Sequence, residues 1–505
     1  MHLTATLERS ARQYPDKAAL VFGDEEITYA ELLDRARRAA SVFIEAGVTP
    51  GDRVAVMTYN TPGFVVAAFG AWFAGASLVP VNHKFAAPEV AYALDHSGAA
   101  VGVVSGALAT TATGGGPDFR WMTTETGHHD LPDFDALVGE ASPIAGPVDS
   151  DLDTVAQILY TSGTTSSPKG CLHTHRTLSS LAPSLAATLG FTAEERFLLA
   201  MPIWHAAPLN DWLLTMISLG ATTVLMREFD PTAFLPAVEK HRITAFFGSP
   251  IAYLLPIQLA DAGKLNFADH DLSTASKWLY GGASLGEHTA RRLVEAYRST
   301  QFFQVYGMSE MGPAGTALYP HEQVAKAGSI GRGGMVGIDL RLVDANGVDV
   351  GRGGTGEIWL RGDTRMIGYL DNDAATADSF VGEWFRTGDV ARMDDDGYLY
   401  IVDRLKDVII VGGENIHSQE VEEVLRGHPR LADVAVIGRP HAEWGETVVA
   451  VCVTVDGQDI TVDEVRDFLG DKLARYKLPR EVVVVDALPR NPSGKIVKHV
   501  LRAEI

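Results

Sequence analysis

Cysteine is scarce in this chain of 505 residues: the count is two. Cys171 and Cys452 exclude a framework of several disulfides, and neither stands in a closely spaced metal-ligand cluster. A reducing, cytoplasmic setting is the expectation. Positive charge is short as well, with 42 basic residues against 64 acidic ones and a formal net charge of -22. That balance opposes the phosphate neutralisation on which duplex binding depends, so no nucleic-acid partner is expected. The basic-then-apolar order of a secretory signal is missing, because Glu8 and Arg9 come so early in the chain. Tandem repeats and low-complexity tracts are absent too. One uncharged, apolar stretch, residues 64–81, reaches the length of a membrane span. Gly70, Gly75, Ser77 and Pro80 interrupt it. The better reading is a buried helix, a turn at Gly75 and a short strand ending near Pro80, with no transmembrane segment.

What is present is the balance of a globular protein, with 46% hydrophobic and 21% charged residues. The length exceeds what one core usually serves and predicts two or more domains. Thr28 and Glu31 have capping-box spacing, and Leu32, Ala36, Ala39, Phe43 and Ile44 follow helical periodicity up to Gly47. A strand is expected at residues 53–57. Short apolar runs at 220–226, 244–247 and 277–280 alternate with helical segments, which predicts an α/β protein with largely buried sheets. After residue 320 the glycine-rich stretch 351–362 suggests short strands. From about residue 407 a strand at 408–411, a helix at 418–425, strands near 434–437 and 448–455 and a helix at 462–473 are enough for a small α+β domain.

Five segments carry chemistry. Tyr160-Thr161-Ser162-Gly163-Thr164-Thr165-Ser166-Ser167-Pro168-Lys169-Gly170 sets hydroxyls, close-approach glycines and one cation after an apolar strand, a combination suited to phosphate oxygens. It is not a Walker A loop, because Lys169 is followed by glycine where that motif needs serine or threonine. Taken alone it also reads as a solvated turn. Tyr306-Gly307-Met308-Ser309-Glu310 follows the apolar residues Phe302, Phe303 and Val305. An aromatic face there can stack on a purine, a hydroxyl can donate to a phosphate, and a carboxylate can hold magnesium. Trp384-Phe385-Arg386-Thr387-Gly388-Asp389 offers a carboxylate to a ribose diol, or a simple turn aspartate. Asp403-Arg404-Leu405-Lys406-Asp407 precedes Gly412-Gly413-Glu414-Asn415, a charged linker before a glycine loop. Finally, Pro489-Arg490-Asn491-Pro492-Ser493-Gly494-Lys495 presents a lysine on a loop shaped by proline and glycine.

In this order and in one chain, the five segments resemble those of the acyl-adenylate-forming superfamily, which contains acyl-CoA synthetases, peptide-synthetase adenylation domains and beetle luciferases. The resemblance spans essentially the whole chain. It implies a large N-terminal domain, residues 1–405, of two flanked β-sheets plus a distorted β-barrel, and a small mobile α+β C-terminal domain, residues 406–505. It also implies two half-reactions, ATP-dependent adenylation of a carboxylic acid and transfer of the acyl group to the thiol of coenzyme A, with domain alternation between them. Thr161, Ser162, Gly163, Thr164, Thr165 and Lys169 would then bind pyrophosphate. Gly281, Gly282 and Ala283 would lie along the adenine, on which Tyr306 stacks, with Gly307 and Met308 following. Ser309, where many relatives have threonine, would bond the α-phosphate, and Glu310 would hold Mg2+. Asp389 and Arg404 would bind the ribose, Lys406 would be the hinge, and Lys495 would bridge the carboxylate and the α-phosphate. Gly412, Gly413 and Glu414 would replace Lys495 for the thioester step.

After Glu414-Asn415-Ile416 this chain has His417-Ser418, where many relatives have tyrosine or a similar residue and then proline. A neutral surface residue is the expectation for His417. Trp204-His205 stands where acyl-CoA synthetases carry an aromatic residue and a histidine beside the acyl pocket, so the resemblance makes His205 a gate or pocket residue. By default it is a satisfied core histidine. Trp204-His205-Ala206-Ala207 contains no aspartate to pair with a substrate ammonium, which disfavours an amino acid. Ala207, Gly312, Pro313 and Ala314, with Phe247 and Trp212 near them in sequence, fit a roomy hydrophobic pocket for a fatty, aromatic or polycyclic acid. The alternative acceptor is a carrier protein or a partner acyltransferase, and a homodimer is compatible with the size.

Overall fold

The computed structural model describes residues 1–125, 130–149, 151–161, 168–411, 414–441, 444–455, 457–470, 472–490 and 496–505, with Glu414 and Asn415 as backbone. Within these residues the chain divides into two compact units. One comprises residues 1–161, 168–340 and 360–385, and the other the described residues of 341–359 and 386–505.

Two sheets organise the first unit. The first runs, strand by strand, Thr316–Leu318, Phe302–Tyr306, Lys277–Gly281, Ala245–Gly248, Arg196–Leu199, Thr222–Leu225, Ala18–Phe22 and Glu25–Thr28. Its six inner strands are parallel, and each end is closed by an antiparallel strand. The second runs Gly368–Tyr369, Lys169–Thr174, Val155–Thr161, Ser77–Pro80, Arg53–Met57, Val101–Ser105 and Trp121–Thr124. Parallel strands of this kind need both faces covered, and their apolar runs are therefore continuous rather than alternating.

The helix Pro62–Phe73 has every residue from Gly63 onward buried, and the strand Ser77–Pro80 follows a turn with Gly75 at φ 78°. The uncharged stretch is thus an interior helix and strand, tied to the second sheet by the Trp72 indole donating to the Ala156 carbonyl at 2.8 Å. No helix among the described residues is long and apolar enough to cross a membrane. The Thr28–Glu31 capping box forms and starts the helix Tyr29–Glu45. Cys171 and Cys452 are both free and buried.

The strand Trp384–Met393 pairs antiparallel with Phe380–Val381 through Phe385 and Trp384, and with Leu399–Arg404 from Asp389 onward. With Ile338–Val343 and Thr355–Gly362 these strands form the distorted half-barrel sheet. The C-terminal portion is a separate α+β layer. Its sheet runs Glu414–Ile416, Ile409–Val411, Gly445–Thr454 and Leu431–His441, with Glu481–Val484 parallel to Gly445–Thr454. The helices Ser418–Leu425 and Val462–Leu469 cover its core of Val421, Leu425, Val434, Val436, Ala450 and Leu469. The second helix ends four residues earlier than its apolar pattern predicts. An α/β protein with a two-sheet N-terminal portion and a separate C-terminal domain is therefore what the chain forms.

Candidate functional site

Ligands of parallel sheets lie outside the carboxyl ends of the strands. The strand Lys277–Gly281 ends at Gly281, which is in register with Val305 of the neighbouring strand Phe302–Tyr306. The segments Gly281-Gly282-Ala283 and Tyr306-Gly307-Met308-Ser309-Glu310 thus leave the same sheet edge side by side. Gly282 takes a left-handed φ of 82°, the conformation for which glycine pays no Cβ penalty. At Gly307 a Cβ would stand 1.4 Å from the Pro313 carbonyl oxygen, so only glycine lets the chain pass there.

Ser309 and Glu310 open a single 3-10 turn, Ser309–Met311. Three contacts hold this turn. Buried His173 bonds through Nε2 to the Ser309 carbonyl at 2.8 Å, which makes Nε2 the protonated nitrogen, and burial lowers the His173 pKa to about 4. The Met366 N–H donates to the Glu310 carbonyl at 2.7 Å. The Tyr369 hydroxyl donates to Glu310 Oε1 at 2.9 Å. Over the Tyr369 ring, the Lys169 ammonium lies 4.8 Å from the centroid. Lys169 begins the strand that pairs antiparallel with Gly368–Tyr369, in the register Tyr369 opposite Cys171. Sheet pairing thereby brings Lys169 and Tyr369 together, and the hydrogen bonds from Tyr369 and Met366 add Glu310 to the row. Thr161 stands opposite Lys169 in the same sheet, while Ser162, Gly163, Thr164 and Thr165 lie outside the described residues.

Trp204 and His205 precede a π-helix, Ala207–Leu213, an element that recurs at functional sites. His205 is exposed and Trp204 half-buried, so the default of a core histidine does not hold. Trp212 is a core side chain, 1% exposed, stacked on Phe197 and 5.1 Å from half-buried Phe247. It backs Phe247 rather than lining open space. Asp211 stands in the same helix, and burial raises its pKa well above the usual carboxylate range. A carboxyl whose charged form is disfavoured by burial makes a poor counter-ion for an ammonium.

In the second unit, Asp389 faces Arg404 across the antiparallel pair, and the guanidinium Nε meets Asp389 Oδ1 at 2.8 Å. The Thr387 hydroxyl accepts the Asp389 N–H and donates to the Ile358 carbonyl, which fixes the turn ahead of the carboxylate. Lys406 is exposed in a turn in which the Asp407 and Val408 amides both donate to the Arg404 carbonyl. Asp407 pairs with Arg502 at 2.8 Å. Buried Asp403 accepts the Ser418 amide, so two acidic groups flanking Arg404-Leu405-Lys406 anchor to neighbouring elements. Gly412, Gly413 and Lys495 lie outside the described residues, and Glu414 begins the strand Glu414–Ile416. His417 is half-buried rather than a surface residue, and burial lowers its pKa, in keeping with a neutral ring. Sequence reasoning missed Tyr369 and His173. Neither belongs to a spaced motif, and only strand pairing reveals them.

Residues 7–370 match the family model of the AMP-binding enzyme, and residues 420–495 match that of the AMP-binding enzyme C-terminal domain. The chain belongs to the AMP-binding enzyme family. Within this family it is 39% identical over 494 residues to a feruloyl-CoA synthase of Amycolatopsis, covering 98% of this chain and 97% of that protein. It is 35% identical to a long-chain-fatty-acid–CoA ligase of Mycobacterium tuberculosis, covering 95% and 93%. The structure of o-succinylbenzoate CoA synthetase from Bacillus subtilis, in complex with its acyl-adenylate intermediate, superposes with a TM-score of 0.87 at 28% identity, covering 98% and 97%. The chain is accordingly an AMP-forming ligase of the acyl-CoA synthetase type.

Proposed function

We propose that this enzyme adenylates a hydrophobic carboxylic acid with ATP, releasing pyrophosphate, and then transfers the acyl group to coenzyme A with release of AMP. The row Lys169–Tyr369–Glu310 beside the ends of two parallel strands is the observation that carries the reading. It sets a cation over one aromatic ring and a carboxylate at that ring's hydroxyl, which suits the two charges of a metal-bound polyphosphate.

A carboxylate resists substitution because oxide is a poor leaving group. Attack of its oxygen on the α-phosphorus breaks the bond to pyrophosphate and forms a mixed anhydride. Thiolate attack on the acyl carbon then expels AMP. Both partners of the first step are anionic, so cations are needed where negative charge accumulates. Lys495 is assigned that place between carboxylate and α-phosphate, Lys169 the pyrophosphate, and Ser309 the α-phosphate. Asp389 and Arg404 are assigned the ribose, and Tyr306 with Gly281, Gly282 and Ala283 the adenine. Mg2+ prefers a few carboxylate oxygens alongside phosphate and water. Glu310 fits this preference as a carboxylate that the Tyr369 hydroxyl orients through one of its oxygens. When bound, the ion neutralises charge on the phosphates. Gly412, Gly413 and Glu414 are assigned to the thioester step, with Lys406 as hinge between residues 1–405 and 406–505. The burial of Asp211, which disfavours its charged form, and the absence of aspartate in residues 204–207 favour an acid without an amino group. Half-buried Phe247 and Trp204 favour a ring-bearing one. A cytoplasmic setting, where ATP and coenzyme A are supplied, fits this chemistry.

The test is pyrophosphate release with MgATP across aromatic, fatty and polycyclic acids, with and without coenzyme A. Release with one acid class and appearance of its acyl-CoA is the expected result. Release with no thioester points to a carrier protein as acceptor, and no release with any class overturns the reading.

A further inference from the structure

The Trp204 indole is held by a network that no part of the reaction assigned above uses. Its Nε1–H donates to His83 Nδ1 at 3.1 Å. An indole nitrogen is a donor only, so His83 accepts through Nδ1 and carries its proton on Nε2. His83 is 8% exposed, and its ring packs against Tyr59 with centroids 4.9 Å apart. The Arg227 guanidinium lies over Tyr59, 4.2 Å from its centroid, and forms an ion pair with Glu125. Glu125 in turn accepts the Ser105 hydroxyl at 2.6 Å. Beside this row, Asn60 donates to the Met201 and Met226 carbonyls and accepts the Ile203 amide at 2.7 Å. Tyr59, Asn60, His83 and Ser105 sit at or after the ends of strands of the second sheet, and Trp204 and Arg227 follow strands of the first. Loops from both sheets therefore meet here, and His83 is the member of this row that holds the indole.

We propose that His83 is a positioning residue for acid recognition, fixing the Trp204 indole as one wall of the acid-binding cleft. This rests on the preceding reading that Trp204 and His205 border the acid. A half-buried tryptophan on a loop otherwise has rotamer freedom, and ordering it on binding costs affinity. The hydrogen bond to a buried, neutral imidazole settles that orientation beforehand. Burial, with Lys84 and Arg227 nearby, lowers the His83 pKa to about 4, so the ring remains an acceptor throughout the usual assay range. Glu228 Oε1 stands 3.7 Å from Nε2, on the side of the ring proton.

Three variants test this: His83→Leu removes the acceptor, His83→Asn keeps an acceptor near the Nδ1 position, and Trp204→Phe keeps a ring without a donor. Loss of one hydrogen bond predicts a KM for the acid about 3- to 10-fold higher in His83→Leu, with the KM for ATP unchanged. His83→Asn should recover most of the loss, and the double variant His83→Leu/Trp204→Phe should be no worse than Trp204→Phe alone. Effects that multiply in the double variant, or KM values for acid and ATP that rise together, overturn the proposal. A second readout needs no turnover. In 15N-tryptophan-labelled enzyme the Trp204 indole signal, assigned with Trp204→Phe, should move in His83→Leu, stay near its position in His83→Asn, and shift on titration with a ring acid. An unaltered indole signal in His83→Leu overturns the hydrogen bond, and an indole signal indifferent to an acid that the enzyme adenylates overturns the wall. Failure of the unaltered enzyme to adenylate any acid instead overturns the underlying reading of the reaction, while the His83→Leu spectrum still judges the hydrogen bond.

Discussion

Its motif makes Glu310 the proposed metal-side carboxylate, while its orientation depends on Tyr369, a residue that belongs to no motif. The Tyr369 hydroxyl holds one oxygen at 2.9 Å while the Lys169 ammonium sits on the ring. Tyr369→Phe keeps the ring and loses the donor, and a hydrogen bond to a charged group is worth about 1.5–3 kcal/mol. The KM for MgATP should therefore rise roughly 10-fold or more in steady-state assays, while the KM for the acid stays put. Lys495 shows the opposite kind of legibility, because its assignment rests on the loop motif and on resemblance. If it bridges carboxylate and α-phosphate, Lys495→Ala should slow formation of enzyme-bound acyl-AMP by roughly 10²-fold, the scale of a lost transition-state donor. Thioester formation from supplied acyl-AMP should change far less, and stopped-flow measurement of each half-reaction separates the two.

Among elements, the buried helix Pro62–Phe73 and the strand Ser77–Pro80 are readable because glycine and proline punctuate an uncharged run that is long enough to span a membrane but too broken to do so. The π-helix Ala207–Leu213 was not readable, since its apolar spacing is that of any buried helix and its wider turn arises from packing. The turn at Tyr306-Gly307 illustrates a constraint that the residue type hints at and only the fold explains. The backbone of residues 313–315 runs so close that a Gly307 Cβ would meet the Pro313 carbonyl oxygen at 1.4 Å, and a Gly315 Cβ the Tyr306 carbonyl oxygen at 2.4 Å. Gly307→Ala must displace one of the two segments. ATP affinity by calorimetry should fall at least about 10-fold, the scale set by shifting contacts made by a reactive segment by a fraction of an ångström. Affinity equal to that of the unaltered enzyme would mean that this turn does not touch the nucleotide.

For the molecule as a whole, buried histidines set the response to acid. Burial lowers His83 and His173 to about 4 and His175 to about 3, from an ordinary 6.5. As pH falls below about 6.5 the unfolded chain takes up protons that these folded rings refuse, so stability is lost on acidification between about pH 6.5 and 4. Burial raises Asp135, Asp211 and Asp403, which acts in the opposite direction. His2, His241, His417 and His428 are also lowered, so histidines outnumber these carboxyls. The midpoint of urea unfolding should therefore be lower at pH 5 than at pH 7. An equal or higher midpoint would contradict this balance.

Two half-reactions around one carbonyl need different groups in turn, which a hinge at Lys406 would supply by exchanging Lys495 for the loop at 412–414. Proline at that position fixes φ and removes a donor. Lys406→Pro should leave acyl-AMP formation within a few-fold of normal and block transfer to coenzyme A, as followed by quenched-flow separation of acyl-AMP and acyl-CoA. Unimpaired transfer would remove Lys406 from the hinge.

The claim on which the rest depends is that the acid's own carboxylate oxygen attacks the α-phosphorus of ATP. The most direct measurement supplies the acid labelled in its carboxylate with oxygen-18, together with MgATP and coenzyme A, and reads the products by mass spectrometry. The account predicts AMP carrying one labelled oxygen, unlabelled pyrophosphate and an acyl-CoA that retains the other label. Label in orthophosphate with ADP as co-product, or AMP without label, would contradict it.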